Sequence, residues 1–360
     1  MTGVATTKLY VERAIGAGLL AVAALAPVIV NDYWVDVILT QVLIVGIAAL
    51  SLIFLSAYGG MVSLAQTALM GIAGFILGNM VTERAPGGET KGLLLGWDPT
   101  LSLVLAILGT TVIGLIFGAV ASRSLGIYFL MITLTYSVIA FYFVGQVTVV
   151  SGFSGIAGIN GYTPGFIGDM VNDRYRLYYI ALLVALAVYG TVRFIVRTPF
   201  GLALQGIRDE PVRMGSLGYT VPLHRTLAFG LSAFFASLAG VLLVWWQGQI
   251  APGDIGLQTT LELLIVAVIG GLGRLEGAFI GAFAFIVINN YIRDSWLTDL
   301  LDTVGIGGSF NTIIGLIFLA IVIVSPDGLM GLWDRLWGFL RQTEGPDEPT
   351  VTPQPAGQQG

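Results

Sequence analysis

Cysteine is absent from the 360 residues, so disulfides, thiol chemistry and thiolate-held metals are excluded. The single histidine, His224, excludes a histidine-cluster metal site. Lysine occurs only at Lys8 and Lys91, in "TKLY" and "TKGL". Neither fits a G-x-x-x-x-G-K-[ST] phosphate loop, so the chain carries no Walker-type nucleotide site of its own. Charge as a whole is scarce, at 10% of residues, against about 25% in a soluble domain. No nucleophile–base triad and no paired buried carboxylates stand out, so nothing here points to an enzyme.

What fills the chain instead is apolar: 56% of residues are hydrophobic, and the mean hydropathy is +0.89. The fold class that follows is an all-α polytopic membrane protein. A spanning helix needs about 20 mostly apolar residues. About ten such stretches are present, near 14–31, 36–57, 61–81, 99–121, 125–144, 177–195, 226–246, 258–273, 276–292 and 311–325. The third and ninth are glycine-rich, as broken or re-entrant segments are. With the N-terminus inside, 11 Lys and Arg fall on the cytoplasmic side and 5 on the other, as the positive-inside rule requires. Both termini are then cytoplasmic. Trp34, Trp97, Trp245, Trp246, Trp296, Trp333 and Trp337 fall at span edges, as an aromatic belt does. Beyond a transmembrane domain over 1–330, residues 331–342 read as an interfacial amphipathic helix with Trp333 and Trp337 on one face. Residues 343–360 read as a disordered cytoplasmic tail rich in Pro, Gly and Gln.

The polar exceptions are few. The cytoplasmic loop 198–225 holds "FGLALQGIRDEPVRMGSLG" (200–218). Residues 201–209 favour helix. Pro211 cannot sit inside that helix, but fits the first turn of a second one, which Gly215 or Gly218 can end. Arg208, Asp209, Glu210 and Arg213 would then face outward. The stretch 151–166, "SGFSGIAGINGYTPGF", is too long for a simple connection and reads as an external gate or docking surface. Within the spans, the candidate pathway residues are Gln66, Glu262, Asn289 and Asn290. Intramembrane carboxylates are nearly absent, which suits a neutral or zwitterionic solute better than an ion. Two glycine-dense stretches, "YGGMVSLAQTALMGIAGF" (58–75) and "VIGGLGRLEGAFIGAF" (268–283), each set a Gly pair before a Gly-spaced helix. They suggest an internal repeat. Gly59, Gly60, Gly71, Gly270, Gly271, Gly273, Gly277 and Gly281 are its candidate helix-packing positions.

At this point the sequence resembles a family. The run "TPFGLALQGIRDEPVRMGSLGYTVPLHRTLAFGLSAFFASLAG" (198–240) is similar to the loop of the permease subunits of branched-chain amino-acid ABC importers, the LivM/LivH type. "AYGGMVSLAQTALMGIAGF" (57–75), "LGIYFLMITLTYS" (125–137) and "LELLIVAVIGGLGRLEGAFIGA" (261–282) resemble further family stretches. The likeness covers about 35–330. Gln66 stands where many members have His, Ala278 replaces a usual Pro, Gly215 replaces a common Ala or Glu, and Gln205 and Gly206 replace Arg and Ala. The resemblance implies a multi-pass subunit of the bacterial inner membrane, surrounded by membrane lipid and without nucleic-acid partners. It pairs with a second, homologous permease as a heterodimer, with two cytoplasmic ATPases and with a periplasmic solute-binding protein. This chain would hold no cofactor; ATP and Mg2+ would sit in the ATPases. The loop 198–218 would carry the coupling helices, with Gly201, Arg208, Asp209, Glu210, Arg213 and Gly218 as coupling positions. The implied solutes are branched-chain or other hydrophobic amino acids. Alternatives are urea and short amides, or small aromatic and organic acids in the same class of transporter, and, from another class, an ATP-independent secondary transporter or channel.

Overall fold

The protein is described by a computed structural model covering residues 23–27, 30–83, 92–165, 168, 174–293, 315, 319 and 328–331. The first and tenth expected spans lie largely outside these residues, and the amphipathic helix 331–342 and the tail 343–360 do so almost entirely.

The described chain is helical throughout its apolar stretches. Helix α1 (Trp34–Gly59) opens with a π-helical turn over Trp34–Leu39. Then come α2 (Gln66–Val81), α3 (Pro99–Ala121) and α4 (Ile127–Gln146). A two-residue strand β1 (Ile156–Ala157) precedes α5 (Arg174–Arg197), α6 (Pro199–Asp209), α7 (Pro211–Ser216) and α8 (Val221–Gln247). Strand β2 (Gln249–Ile250), a 3₁₀ turn (Pro252–Ile255), α9 (Leu257–Gly270) and α10 (Gly277–Arg293) complete it. Among the described residues, five helices are long and apolar enough to cross a membrane: α1, α3, α4, α5 and α8. Three more, α2, α9 and most of α10, are apolar but shorter.

The layers follow from burial. The apolar windows of α8 and α1 are 78% and 72% buried, whereas those of α3, α4 and α5 are only 22%, 28% and 28% buried. The first two are therefore the protein centre, and the other three present apolar faces outward. α8 packs on α1, α2 and α3, and α1 also packs on α10. Small residues set these crossings. A Cβ on Gly240 of α8 would lie 1.9 Å from the Met70 carbonyl oxygen of α2, and one on Gly46 of α1 would lie 2.5 Å from Phe279 of α10.

The glycine candidates divide. Gly71 meets Ile255, and Gly270, Gly277 and Gly281 bring the backbones of α9 and α10 together. Gly60 and Gly271 end their helices at positive φ, 64° and 110°. The local unit is thus alike in the two glycine-dense stretches, but its packing differs: α9 and α10 lie along each other, while α1 and α2 diverge. Gly273 corrects the sequence expectation, since a Cβ there would meet nothing within 4 Å. At Gly59 an added Cβ would meet the Met61 methyl at 2.9 Å and Leu204 of α6 at 3.9 Å.

Candidate functional site

The third span begins five residues later than expected. Helix was expected from 61, but α2 starts at Gln66, and 61–65 is irregular. Gly60 turns the chain out of α1, and Thr133 Oγ1 of α4 takes the Leu64 N–H at 3.1 Å, in place of a helical carbonyl. Ser63, Leu64 and Ala65 are all buried. Irregular backbone within a membrane is tolerated only where protein buries it or it lines a cavity.

The start of α2 meets the start of α9. Thr67 Oγ1 lies 2.6 Å from Thr260 Oγ1, and Thr260 Oγ1 lies 3.0 Å from Ser137 Oγ, midway along α4. Ser137 also reaches the Ile255 carbonyl at 3.4 Å, and Thr260 the Gly256 carbonyl at 3.0 Å. Three hydroxyl protons thus face four contacts, so the pattern can change at little cost. The first turns of the two helices meet here. Neither carries a side-chain cap: Ala65 and Gly256 hold the N-cap positions. Their free N–H groups and positive dipole ends therefore lie close to one another, around Thr67 and Thr260.

Gln66 adds an unsatisfied group. Ser51 Oγ lies 2.6 Å from the Ala48 carbonyl and 3.1 Å from Gln66 Oε1, with a single proton for both. The other end of the amide, Nε2, is buried without a partner. Turning the amide over would let Nε2 donate to Ser51, and would leave the oxygen unpartnered instead. Either way Gln66, only 1% exposed, keeps one polar atom free in the protein interior, an arrangement that costs about 1–3 kcal/mol. Ser232 of α8 closes the cluster by donating to the Ser51 carbonyl at 2.7 Å.

The other pathway candidates are not gathered here. Glu262 follows Thr260 by two positions, about 200° round α9, and accepts from Gln258 at 3.1 Å. Asn290 donates to the Ile286 carbonyl of its own helix at 3.0 Å. Asn289 and Asn290 adjoin Tyr291, whose ring lies 5.9 Å from Trp34, and Trp34 is about 25 Å along α1 from Ser51. Of the four expected pathway residues the structure brings only Gln66 to this cluster, with hydroxyls that sequence reasoning passed over: Ser51, Thr67, Thr133, Ser137 and Thr260.

A second polar feature lies at the loop end of the bundle. Thr198 caps α6, accepting the Gly201 N–H at 3.4 Å, and Pro211 opens α7. Gly218 follows at φ 92°. Ala203, Leu204 and Ile207 bury one face of α6, whereas α7 has no buried residue. Asp209, Glu210 and Arg213 are exposed. Gly201 is buried at the corner, where a Cβ would lie 2.3 Å from the Ile195 carbonyl. Arg208 is exposed as expected, but its side chain also reaches back to the bundle. Its Nη1 donates to the Ala57 carbonyl of α1, its stem covers Gly60, and Nε pairs with Asp209 at 2.8 Å. Arg225 was expected in the cytoplasmic loop, but it lies in the first turns of α8, only 6% exposed and with Nε unpartnered. On the opposite side, residues 156–161 fold back. β1 pairs with β2 through Ile156–Ile250, and Ile159 is fully buried beside Gly78.

This architecture is that of a multi-pass membrane permease: a glycine-packed helical bundle with a broken span at its centre and a helical loop at one end. Residues 35–325 match the family described as the permease component of branched-chain amino acid transport systems, and the chain belongs to that family. It is 23% identical to a probable branched-chain amino acid transport permease protein LivM of Methanocaldococcus jannaschii over 269 residues, 70% of each chain. It is 29% identical to the high-affinity permease protein LivM of Escherichia coli over 118 residues, 33% of this chain and 28% of that one. With BraD of Pseudomonas aeruginosa it shares 26% over 157 residues, 44% of this chain and 48% of that one. The match thus spans less than a third of the Escherichia coli relative's length. No solved structure matches the chain.

Proposed function

We propose that this chain is the transmembrane permease subunit of an ATP-binding cassette importer. It moves branched-chain or other hydrophobic amino acids across the bacterial inner membrane by alternating access. Its partners are a second, homologous permease, two cytoplasmic ATPases that bind ATP and Mg2+, and a periplasmic solute-binding protein. The observation that carries the proposal is the loop of α6 and α7, in a chain of this family. Val212 is 80% and Leu217 66% exposed there, beside Asp209, Glu210 and Arg213. Exposed apolar side chains beside charges outside the bilayer fit a docking face for another protein. Arg208 ties that face to α1, and Ser51 of α1 contacts Gln66, so movement of the loop has a covalent and hydrogen-bonded route to the broken span.

In this proposal the starts of α2 and α9 hold the polar end of the solute. Helix N-termini, hydroxyls and one amide suit the carboxylate of a zwitterion. Thr67, Ser137 and Thr260 are sealed in this conformation, being at most 2% exposed, so a solute reaches them only when α2, α4 and α9 part. Differential contact of the loop with the two ATPase states is what would drive that parting.

The test is reconstitution. The chain, purified alone and with its co-expressed neighbours, is placed in liposomes and assayed for uptake of labelled leucine and for ATP hydrolysis. Leucine accumulation that needs ATP and every subunit supports the proposal. Leucine transport by the lone chain refutes it.

A further inference from the structure

On the side of the polar centre remote from the α6–α7 loop, α2 sets three glycines along one face: Gly71, Gly74 and Gly78. Each is covered by an isoleucine from the segments around β1 and β2. A Cβ on Gly71 would lie 1.7 Å from Ile255 Cγ2, one on Gly74 2.4 Å from Ile250 Cδ1, and one on Gly78 2.8 Å from Ile159 Cδ1. The three isoleucines are at most 1% exposed. Only a bare backbone lets side chains seat so close to a helix. Gly71 is one turn from Thr67 on the same face, and the carbonyl that Ser137 reaches is that of Ile255. Ile255 therefore lies directly over the hydroxyls.

Two observations mark this cover as removable. Its apolar contacts form a cluster of their own, in which Ile156, Ile159, Ile250 and Ile255 pack with Phe75 of α2 and Val144 of α4. That cluster is separate from the main core, to which α1, α3 and α8 contribute, so it can part while the core stays closed. The hydrogen bonds of the turn Pro252–Ile255 also travel with it. Asp254 Oδ2 accepts the Ala251 N–H at 2.8 Å, the Asp254 N–H donates back to the Ala251 carbonyl at 3.0 Å, and the Gly256 N–H donates to the Gly253 carbonyl at 3.1 Å. The contact across to α4, from Ser137 Oγ to the Ile255 carbonyl, is longer, at 3.4 Å.

We propose that the turn Pro252–Ile255 is the outer gate of the transport pathway, with Ile255 as its closing residue. Withdrawal of the turn lifts Ile255 from Gly71 and uncovers Thr67 and Thr260 to the outside. This rests on the reading of the chain as a permease whose α6–α7 loop is cytoplasmic. The stretch 151–166 then frames the gate, through Ile156 and Ile159.

The test uses the absence of cysteine from the chain. Thr67→Cys is a reporter beneath the gate, and Ala181→Cys, fully buried in the main core, is the control. The full chain in right-side-out membrane vesicles is exposed to an impermeant maleimide, and labelling of each cysteine is timed. Both should label slowly. Adding Ile255→Val, and then Ile255→Ala instead, should raise the rate at Thr67→Cys about threefold and at least about tenfold, as loss of one and of three buried carbons from the closed form does. The rate at Ala181→Cys should not change. An unchanged rate at Thr67→Cys, or an equal rise at both positions, overturns the proposal. A lock supplies the second arm. A Cβ at position 71 would lie 3.2 Å from Ile255 Cβ, against about 3.8 Å across a disulfide. Gly71→Cys combined with Ile255→Cys should form a bond that halts leucine uptake by the reconstituted complex until a reductant is added. Uptake that survives formation of the bond overturns the gate. Absence of uptake by the wild-type complex would instead count against the permease reading, while the labelling arm, which needs no solute, still decides the gate.

Discussion

Gly240→Ala tests how far the central crossing depends on bare backbone. The added Cβ would lie 1.9 Å from the Met70 carbonyl oxygen and 2.8 Å from its carbon, where ordinary contact is 3.4–4 Å. Helices α2 and α8 must then separate by about 1.5 Å, the gap between 1.9 Å and ordinary contact. The obstacle is main chain, so no side-chain rotation relieves it. Overpacking costs about 1–3 kcal/mol, and this case belongs at the upper end. Alanine's better helix propensity returns about 1 kcal/mol. The net expectation is a loss of about 1–2 kcal/mol. Met70 is one turn from Thr67, so the same shift loosens the 2.6 Å contact with Thr260. Thermal inactivation of the purified chain in one detergent reads the effect, with Gly273→Ala as the control because its Cβ meets nothing within 4 Å. Gly240→Ala as stable as Gly273→Ala would refute the reasoning.

Arg208→Glu removes the bond to the Ala57 carbonyl and puts a like charge beside Asp209. The chain should still fold and insert, while solute-stimulated ATP hydrolysis of the assembled complex falls about tenfold or more; unchanged stimulation counts against a coupling role. Thr67→Val and Thr260→Val, made singly and together, should show a coupling of about 0.5–1.5 kcal/mol in chemical denaturation. Strictly additive effects would mean that the hydroxyls do not interact. Gly201→Ala drives a methyl group toward the Ile195 carbonyl, 2.3 Å from the new Cβ. It should lower expression of folded chain, whereas Gly218→Asn, at an exposed left-handed position, should not.

The spans were largely legible because the bilayer imposes a length and a composition on them: 99–121 coincides with α3, and 226–246 lies inside α8. The loop helices were legible because Pro211 and Gly218 act locally, whereas the Thr198 cap emerged only from the structure. The polar centre was not. Serine and threonine are ordinary in apolar spans, where they usually bond to their own helix, as Thr111 does to the Ile107 carbonyl. What distinguishes Thr67, Ser137 and Thr260 is the meeting of three helices far apart in sequence. The one local sign was the glycine-rich, interrupted third span with Gln66 inside it. Arg225 was misplaced for a related reason: a charge next to an apolar run signals a boundary, but not how deeply the fold buries it.

The most direct test of the central claim is Gln66→Leu, measured for both stability and transport. The substitution removes the unpartnered amide atom and keeps the volume. Stability should hold or rise. Uptake of labelled leucine by the reconstituted complex should fall at least about tenfold, the equivalent of one hydrogen bond to a charged group. Undiminished uptake, or a loss of uptake that only follows a loss of folded chain, would contradict the account.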